Sequence, residues 1–157
     1  MVEKAAGRRR IASELGSDVV LDPTSESIKD AIMDLTNGMG ADIVFEDVGL
    51  PDLQLLALEC VRPHGTCVIT GIATTPVTLN FTDRVMLREL TIVGSNGYSM
   101  WWDRPHDYSV IARLMSAGRL QTKPLISHVY PLDEFTEAFR MAGDSEQAIK
   151  VVFDLHA

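Results

Sequence analysis

Three short apolar runs in this chain close on small or polar residues: Ala41 to Phe45 on Glu46-Asp47-Val48-Gly49, the run from Thr66 on Thr70-Gly71-Ile72, and Leu90 to Val93 on Gly94-Ser95-Asn96-Gly97. Stretches of helical spacing separate them, and hairpin signals are lacking, so successive strands need right-handed crossovers onto a mostly parallel sheet. Ligands of open α/β sheets sit outside the carboxyl ends of the strands, where turns are tight and the backbone must let a ligand come close. The expected fold is therefore α/β, a mostly parallel sheet with flanking helices whose three strand ends form a nucleotide-binding edge. No G-x-G-x-x-G follows an opening strand, so the usual diphosphate cradle is absent from this sequence.

The remaining elements follow from caps and periodicity. Ala5 to Leu15 has helix-forming composition and stops at Gly16, ahead of the apolar run Val19-Val20-Leu21 and the turn Asp22-Pro23. Thr24 or Ser25 can cap a helix carrying Ile28, Ile32, Met33 and Leu35, ended by Asn37-Gly38. Pro51 opens a helix with Leu53, Leu56, Ala57 and Cys60 on one face. A helix is expected around Arg84 to Arg88, and another from Tyr108 to Ala117 with Val110, Ile111 and Leu114 inward. The last part differs, with a strand from Ile126 to Tyr130, a helix from Leu132 to Ala142 and a terminal strand from Ala148 to Leu155.

Composition excludes several classes. With 157 residues, 46% hydrophobic and 23% charged, the balance is that of a soluble globular chain. A net charge of −8 argues against nucleic-acid or anionic-membrane surfaces, and Arg8-Arg9-Arg10 is the only basic run. No apolar run approaches the roughly 20 residues that cross a bilayer, and no secretory h-region opens the chain, so a cytoplasmic location is the default expectation. Cys60 and Cys67 have poor zinc spacing and read as small buried hydrophobes in a reducing compartment. His64, His106, His128 and His156 are scattered, and no metal site is assigned.

Five segments, weak singly but specific in their order and spacing, carry a resemblance. They are Glu3 through Asp18 with its Arg8-Arg9-Arg10-Ile11-Ala12, Gly40-Ala41-Asp42-Ile43-Val44-Phe45-Glu46-Asp47-Val48-Gly49, Val61-Arg62-Pro63-His64-Gly65-Thr66, Gly118-Arg119-Leu120, and Pro131-Leu132-Asp133-Glu134-Phe135-Thr136-Glu137-Ala138-Phe139. From Glu3 to Leu155 the succession resembles the C-terminal half of the medium-chain zinc-dependent alcohol dehydrogenases, nearest in style to the polyol, butanediol and threonine dehydrogenases. The resemblance implies an incomplete Rossmann-like sheet lacking the family's first two strands, with zinc expected only in the missing catalytic half. It implies residues 1–122 as a partial dinucleotide-binding domain, and 123–157 as the helix and strands that in the family return to the catalytic domain.

The same resemblance implies roles for individual residues. Glu3 matches the acid that holds the adenosine ribose, where a carboxylate accepts two hydroxyl hydrogen bonds and repels a 2′-phosphate, so NAD is expected over NADP. Arg8 matches a position beside the adenine face. Asp47, Val48 and Gly49, then Thr70, Gly71 and Ile72, line the cleft, and Ser95, Asn96 and Gly97 match the last cofactor-facing loop. Lys150 matches a basic position near the diphosphate. Ordinary turn chemistry at the strand ends and a solvated helix face at Arg8 are the competing readings.

Without its central neighbours the sheet is expected either to rearrange, with Val19-Val20-Leu21 beside the Ile43 strand, or to self-associate through apolar edges. The Tyr98 to Trp102 loop, holding Met100 and Trp101, is a second expected contact in a homo-oligomer. No residue is assigned to catalysis, and the chain is expected not to turn over substrate alone. A non-catalytic remnant that folds by oligomerising and binds little or no nucleotide stays open beside the dehydrogenase reading.

Overall fold

A computed structural model of the chain describes residues 1–96 and 107–156. In order, the elements are α1 (Ala6–Glu14), α2 (Ile28–Leu35), β1 (Ala41–Glu46), α3 (Pro51–Cys60), β2 (Val61–Ile69), α4 (Phe81–Arg84), β3 (Thr91–Gly94), α5 (Asp107–Ser116), β4 (Ile126–Pro131), α6 (Phe135–Ala142) and β5 (Lys150–Asp154). They fall into two compact units, one of Ser27–Asp107 and one of Met1–Glu26 with Tyr108–Ala157.

The central unit holds a three-stranded sheet in the order β1-β2-β3, parallel throughout, with Phe45 opposite Val68 and Val68 opposite Val93. Its helices start where capping chemistry allows. Ser27 Oγ accepts the Asp30 amide at the head of α2, Pro51 occupies the first turn of α3, and Asn80 accepts the Thr82 and Asp83 amides before α4. Asn37 and Gly38, both left-handed at φ 53° and 81°, end the α2 segment.

Packing α3 onto one face of the sheet makes the core. Ala57, Leu58, Val61, Cys67 and Leu90 are buried together, flanked by Val44, Ile69, Leu79 and Val85. Strand alternation sends Ile43 and Phe45 to the opposite face, where they are 56% and 64% exposed. A parallel sheet is ordinarily covered on both faces, so the strand pattern anticipates a layer that this unit does not supply to those two side chains.

The terminal unit contains a parallel pair, β4 and β5, in register from His128 opposite Val151 to Pro131 opposite Asp154, with α6 packed on both strands. Ala5, Ala12, Leu21, Ala138 and Ala148 are its buried apolar residues.

Several sequence expectations are corrected here. Val19-Val20-Leu21 is not a strand beside Ile43. Leu21 makes a single parallel bridge to Val2, with the Glu3 amide donating to Leu21 O at 3.1 Å and the Leu21 amide to Met1 O at 2.9 Å. The N-terminal backbone satisfies Leu21, and among the described residues β1 has β2 as its sheet neighbour. The Arg84 to Arg88 helix is a four-residue helix and a separate 3-10 turn, Met86–Arg88, broken at Val85 and closed by Glu89 in the left-handed region at φ 50°. The Leu132 helix likewise opens as a 3-10 turn before α6. β2 begins earlier than expected, at Val61, and runs through Pro63 where its register with β1 shifts. Ile111, expected inward, is 41% exposed. Gly97 and the Tyr98 to Trp102 loop lie outside the described residues.

Candidate functional site

The carboxyl ends of β1 and β2 meet at one residue, whose side chain serves the loop after β1 and whose main-chain oxygen serves the loop after β2. Glu46, the last residue of β1, is 5% exposed and lies just before the turn of residues 47–49. Its Oε1 accepts the amides of Val48 at 2.9 Å and Gly49 at 2.8 Å. Its main-chain oxygen accepts the amides of Thr70 and Gly71, both at 2.9 Å, and the Thr70 hydroxyl at 3.1 Å. The Thr70 hydroxyl also meets Asp47 Oδ1. Glu46 Oε2 is buried without a hydrogen-bond partner among the described residues.

Two glycines make this approach possible. Gly49 is left-handed at φ 84°, and a β-carbon there would lie 2.4 Å from Ile72 O. A β-carbon on Gly71 would lie 2.2 Å from Gly49 N and 2.7 Å from Glu46 Oε2. The small residues at these strand ends thus let the two loops touch each other. Outward, the same loops present Val48, 63% exposed, and Ile72, 84% exposed. At the end of β3 the Ser95 amide donates to Ile69 O at 2.9 Å, Ser95 and Asn96 are exposed, and a β-carbon on Gly94 would meet no atom of the described residues within 4 Å.

Asp47, Val48, Gly49, Thr70, Gly71, Ile72, Ser95 and Asn96 therefore belong to one strand-end edge of the central unit. Glu3, Arg8 and Lys150 belong to the terminal unit. There Glu3 Oε1 accepts the Ala5 amide at 2.8 Å, and Glu3 Oε2 is 4.0 Å from Arg8. The Arg8 guanidinium donates through Nη2 to Ala148 O at 2.8 Å and through Nε at 3.3 Å. Lys150 opens β5, is exposed, and its carbonyl accepts the Ser127 hydroxyl at 3.1 Å.

Glu46 was missed as a site residue by sequence reasoning. Its only sequence signal is a carboxylate closing an apolar strand directly before a turn, and burial is what gives that position meaning. Cys67 is wholly buried and Cys60 nearly so, and burial pushes both thiols up, Cys67 to about 11 with Glu46 adding to the rise. Among the described residues no group of three His, Cys, Asp or Glu could hold a metal ion. No helix among them is long and apolar enough to cross a membrane.

Among the described residues the edge therefore presents the apolar side chains of Val48 and Ile72 beside main-chain polar groups, with open space at Gly94. A parallel sheet with such strand ends and helices in its crossovers defines a Rossmann-type α/β nucleotide-binding architecture. Residues 1–117 match the zinc-binding dehydrogenase family, and the chain belongs to it.

Among its relatives are the L-threonine 3-dehydrogenase of Pyrococcus horikoshii, 32% identical over 149 residues, covering 94% of this chain and 41% of that protein. The scyllo-inosose 3-dehydrogenase of Thermotoga maritima is 33% identical over 153 residues, covering 95% and 38%. The solved structure of 2R,3R-butanediol dehydrogenase from Bacillus subtilis superposes with a TM-score of 0.81 at 25% identity, covering 96% of this chain and 42% of that one. An Escherichia coli oxidoreductase/dehydrogenase of unknown specificity gives 0.83 at 27% identity, covering 98% and 43%. The chain spans about two-fifths of the length of the curated relatives it matches.

Proposed function

We propose that this chain is the cofactor-binding part of an NAD(P)-dependent zinc-type alcohol or polyol dehydrogenase, and that it does not turn over substrate by itself. The observation that carries the reading is the joined edge at the ends of β1 and β2, where Glu46 fixes both loops and Val48 and Ile72 face outward. When bound, the nicotinamide supplies the hydride chemistry, and zinc belongs to the part of the relatives' length that this chain does not span. Val48 and Ile72 would flank the ring, and main-chain groups of Thr70, Ser95 and Asn96 would bind its carboxamide. For Glu3, Arg8 and Lys150, which belong to the terminal unit, the resemblance alone suggests ribose, adenine and diphosphate roles, with the Glu3 carboxylate favouring NAD over NADP.

Titrating NADH and NADPH separately into the purified chain, followed by heat, tests this reading. Saturable binding with NADH preferred supports it. Binding of neither would refute the cofactor role.

A second reading is favoured by one observation: Ile43 and Phe45 stand exposed on the sheet face opposite α3. On this reading the chain is a non-catalytic module in which a second copy covers that face or continues the β1 edge. Sedimentation of the 17.3 kDa chain decides it, since Phe45→Glu would dissolve such a dimer and a concentration-independent monomer would exclude it.

A further inference from the structure

We propose that Glu46 is the positioning residue of the cofactor edge, setting both strand-end loops at once without touching the ligand. This rests on the cofactor reading above for its ligand but on geometry alone for its mechanism. Five hydrogen bonds converge on this residue: two amides of the 47–49 turn reach Oε1, while the Thr70 and Gly71 amides and the Thr70 hydroxyl reach its main-chain oxygen. Thr70 answers from the opposite loop, its hydroxyl meeting both Glu46 O and Asp47 Oδ1.

The carboxylate has a purpose that a neutral turn residue would not serve. A buried acid with one unpartnered oxygen carries a desolvation penalty, which a serine or threonine cap on the same turn would avoid. What the charge adds is strength, because amide bonds to a carboxylate are shorter and roughly twice as strong as those to a neutral acceptor. Those bonds turn the Val48 and Gly49 amides inward, away from the edge, and leave the Val48 side chain outward. Gly71 lies close against the same carboxylate, since a β-carbon there would come 2.7 Å from Oε2, so the carboxylate limits how closely the loop of residues 70–72 approaches. The spacing of Val48 and Ile72, the two apolar walls of the edge, is thus set by a residue buried beneath them.

The test uses the full chain, labelled with nitrogen-15, as wild type, Glu46→Gln and Thr70→Val. Glu46→Gln keeps an acceptor for the two amides but removes the charge. It is expected to weaken NADH binding about tenfold while the thermal midpoint moves by only a few degrees. Backbone amides 47–49 and 70–72 are expected to shift together, including that of Ile72, which makes no hydrogen bond to Glu46. Thr70→Val, which removes the hydroxyl shared by Glu46 and Asp47, should move the 47–49 amides from the opposite loop and serves if the glutamine variant fails to fold.

A folded Glu46→Gln variant with unchanged NADH affinity overturns the proposal, as do amide shifts confined to 47–49. A loss of thermal stability without loss of affinity also overturns it, since that marks a structural cap. If wild type binds no NADH, the cofactor reading fails separately, and the amide shifts of the two variants alone decide whether Glu46 couples the loops.

Discussion

Replacing Gly71 by alanine should destabilise the central unit, whereas replacing Gly94 by alanine should not. Neither glycine is left-handed, so backbone strain does not separate them. Space does. At Gly71 a β-carbon would fall 2.2 Å from Gly49 N and 2.7 Å from Gly49 Cα and Glu46 Oε2, and the first two are main-chain atoms that cannot swing aside. Relieving the clash requires the 47–49 and 70–72 loops to part, which strains the amide bonds gathered on Glu46. Overpacking of this kind costs about 1–3 kcal/mol, or roughly 2–12 °C in midpoint for a chain of this size. At Gly94 nothing among the described residues lies within 4 Å, so alanine meets none of their atoms and restricts the unfolded chain, a gain of about 0.4–1 kcal/mol. Urea unfolding of both variants, followed by circular dichroism, measures the difference. If Gly71→Ala is as stable as Gly94→Ala, the two loops are not in contact, and the role given to Glu46 falls with them.

Leu58, 4% exposed in the core under the sheet, should lose about 2–5 kcal/mol on truncation to alanine, read from the urea midpoint. Cys60 and Cys67 should resist a thiol reagent in the native chain and react at once in denaturant, and rapid native labelling would contradict their burial. Because burial raises the Cys67 thiol from 9.0 to about 11, the native chain holds a proton that the unfolded chain releases. The Cys67 contribution to stability should therefore be level below about pH 9 and be lost as pH rises towards 11, a fall that Cys67→Ala reduces. Glu59 is held below the usual carboxylate range by its hydrogen bond from Arg84 and, further, by Lys29. Glu59→Gln should cost no more than about 1 kcal/mol at neutral pH, and that difference should vanish as acid protonates the wild-type carboxylate.

Much of the local structure was legible because local chemistry decides it. Pro51 at the head of α3, Asn37-Gly38 after α2 and the three apolar runs each act within a few residues of themselves. Where the reading failed, a distant or competing partner prevailed. Val19-Val20-Leu21 has strand composition, yet its backbone is answered by Met1 and Glu3, leaving a single bridge. The helix expected around Arg84 to Arg88 breaks at Val85 and Glu89, and Val85 packs against the core.

The sequence by itself determined the parallel α/β class, the positions of the strand ends and the family, since each follows from periodicity, turn residues and the order of short motifs. Only the tertiary structure decided that Glu46 joins the first two of those ends and that Gly49 and Gly71 admit one loop to the other. It also left Ile43 and Phe45 uncovered. The physical reason is that burial and hydrogen-bond partnership are properties of the folded neighbourhood: a glutamate at a strand end reads as solvent-facing until the loop that closes over it, 24 residues further along the chain, is in place.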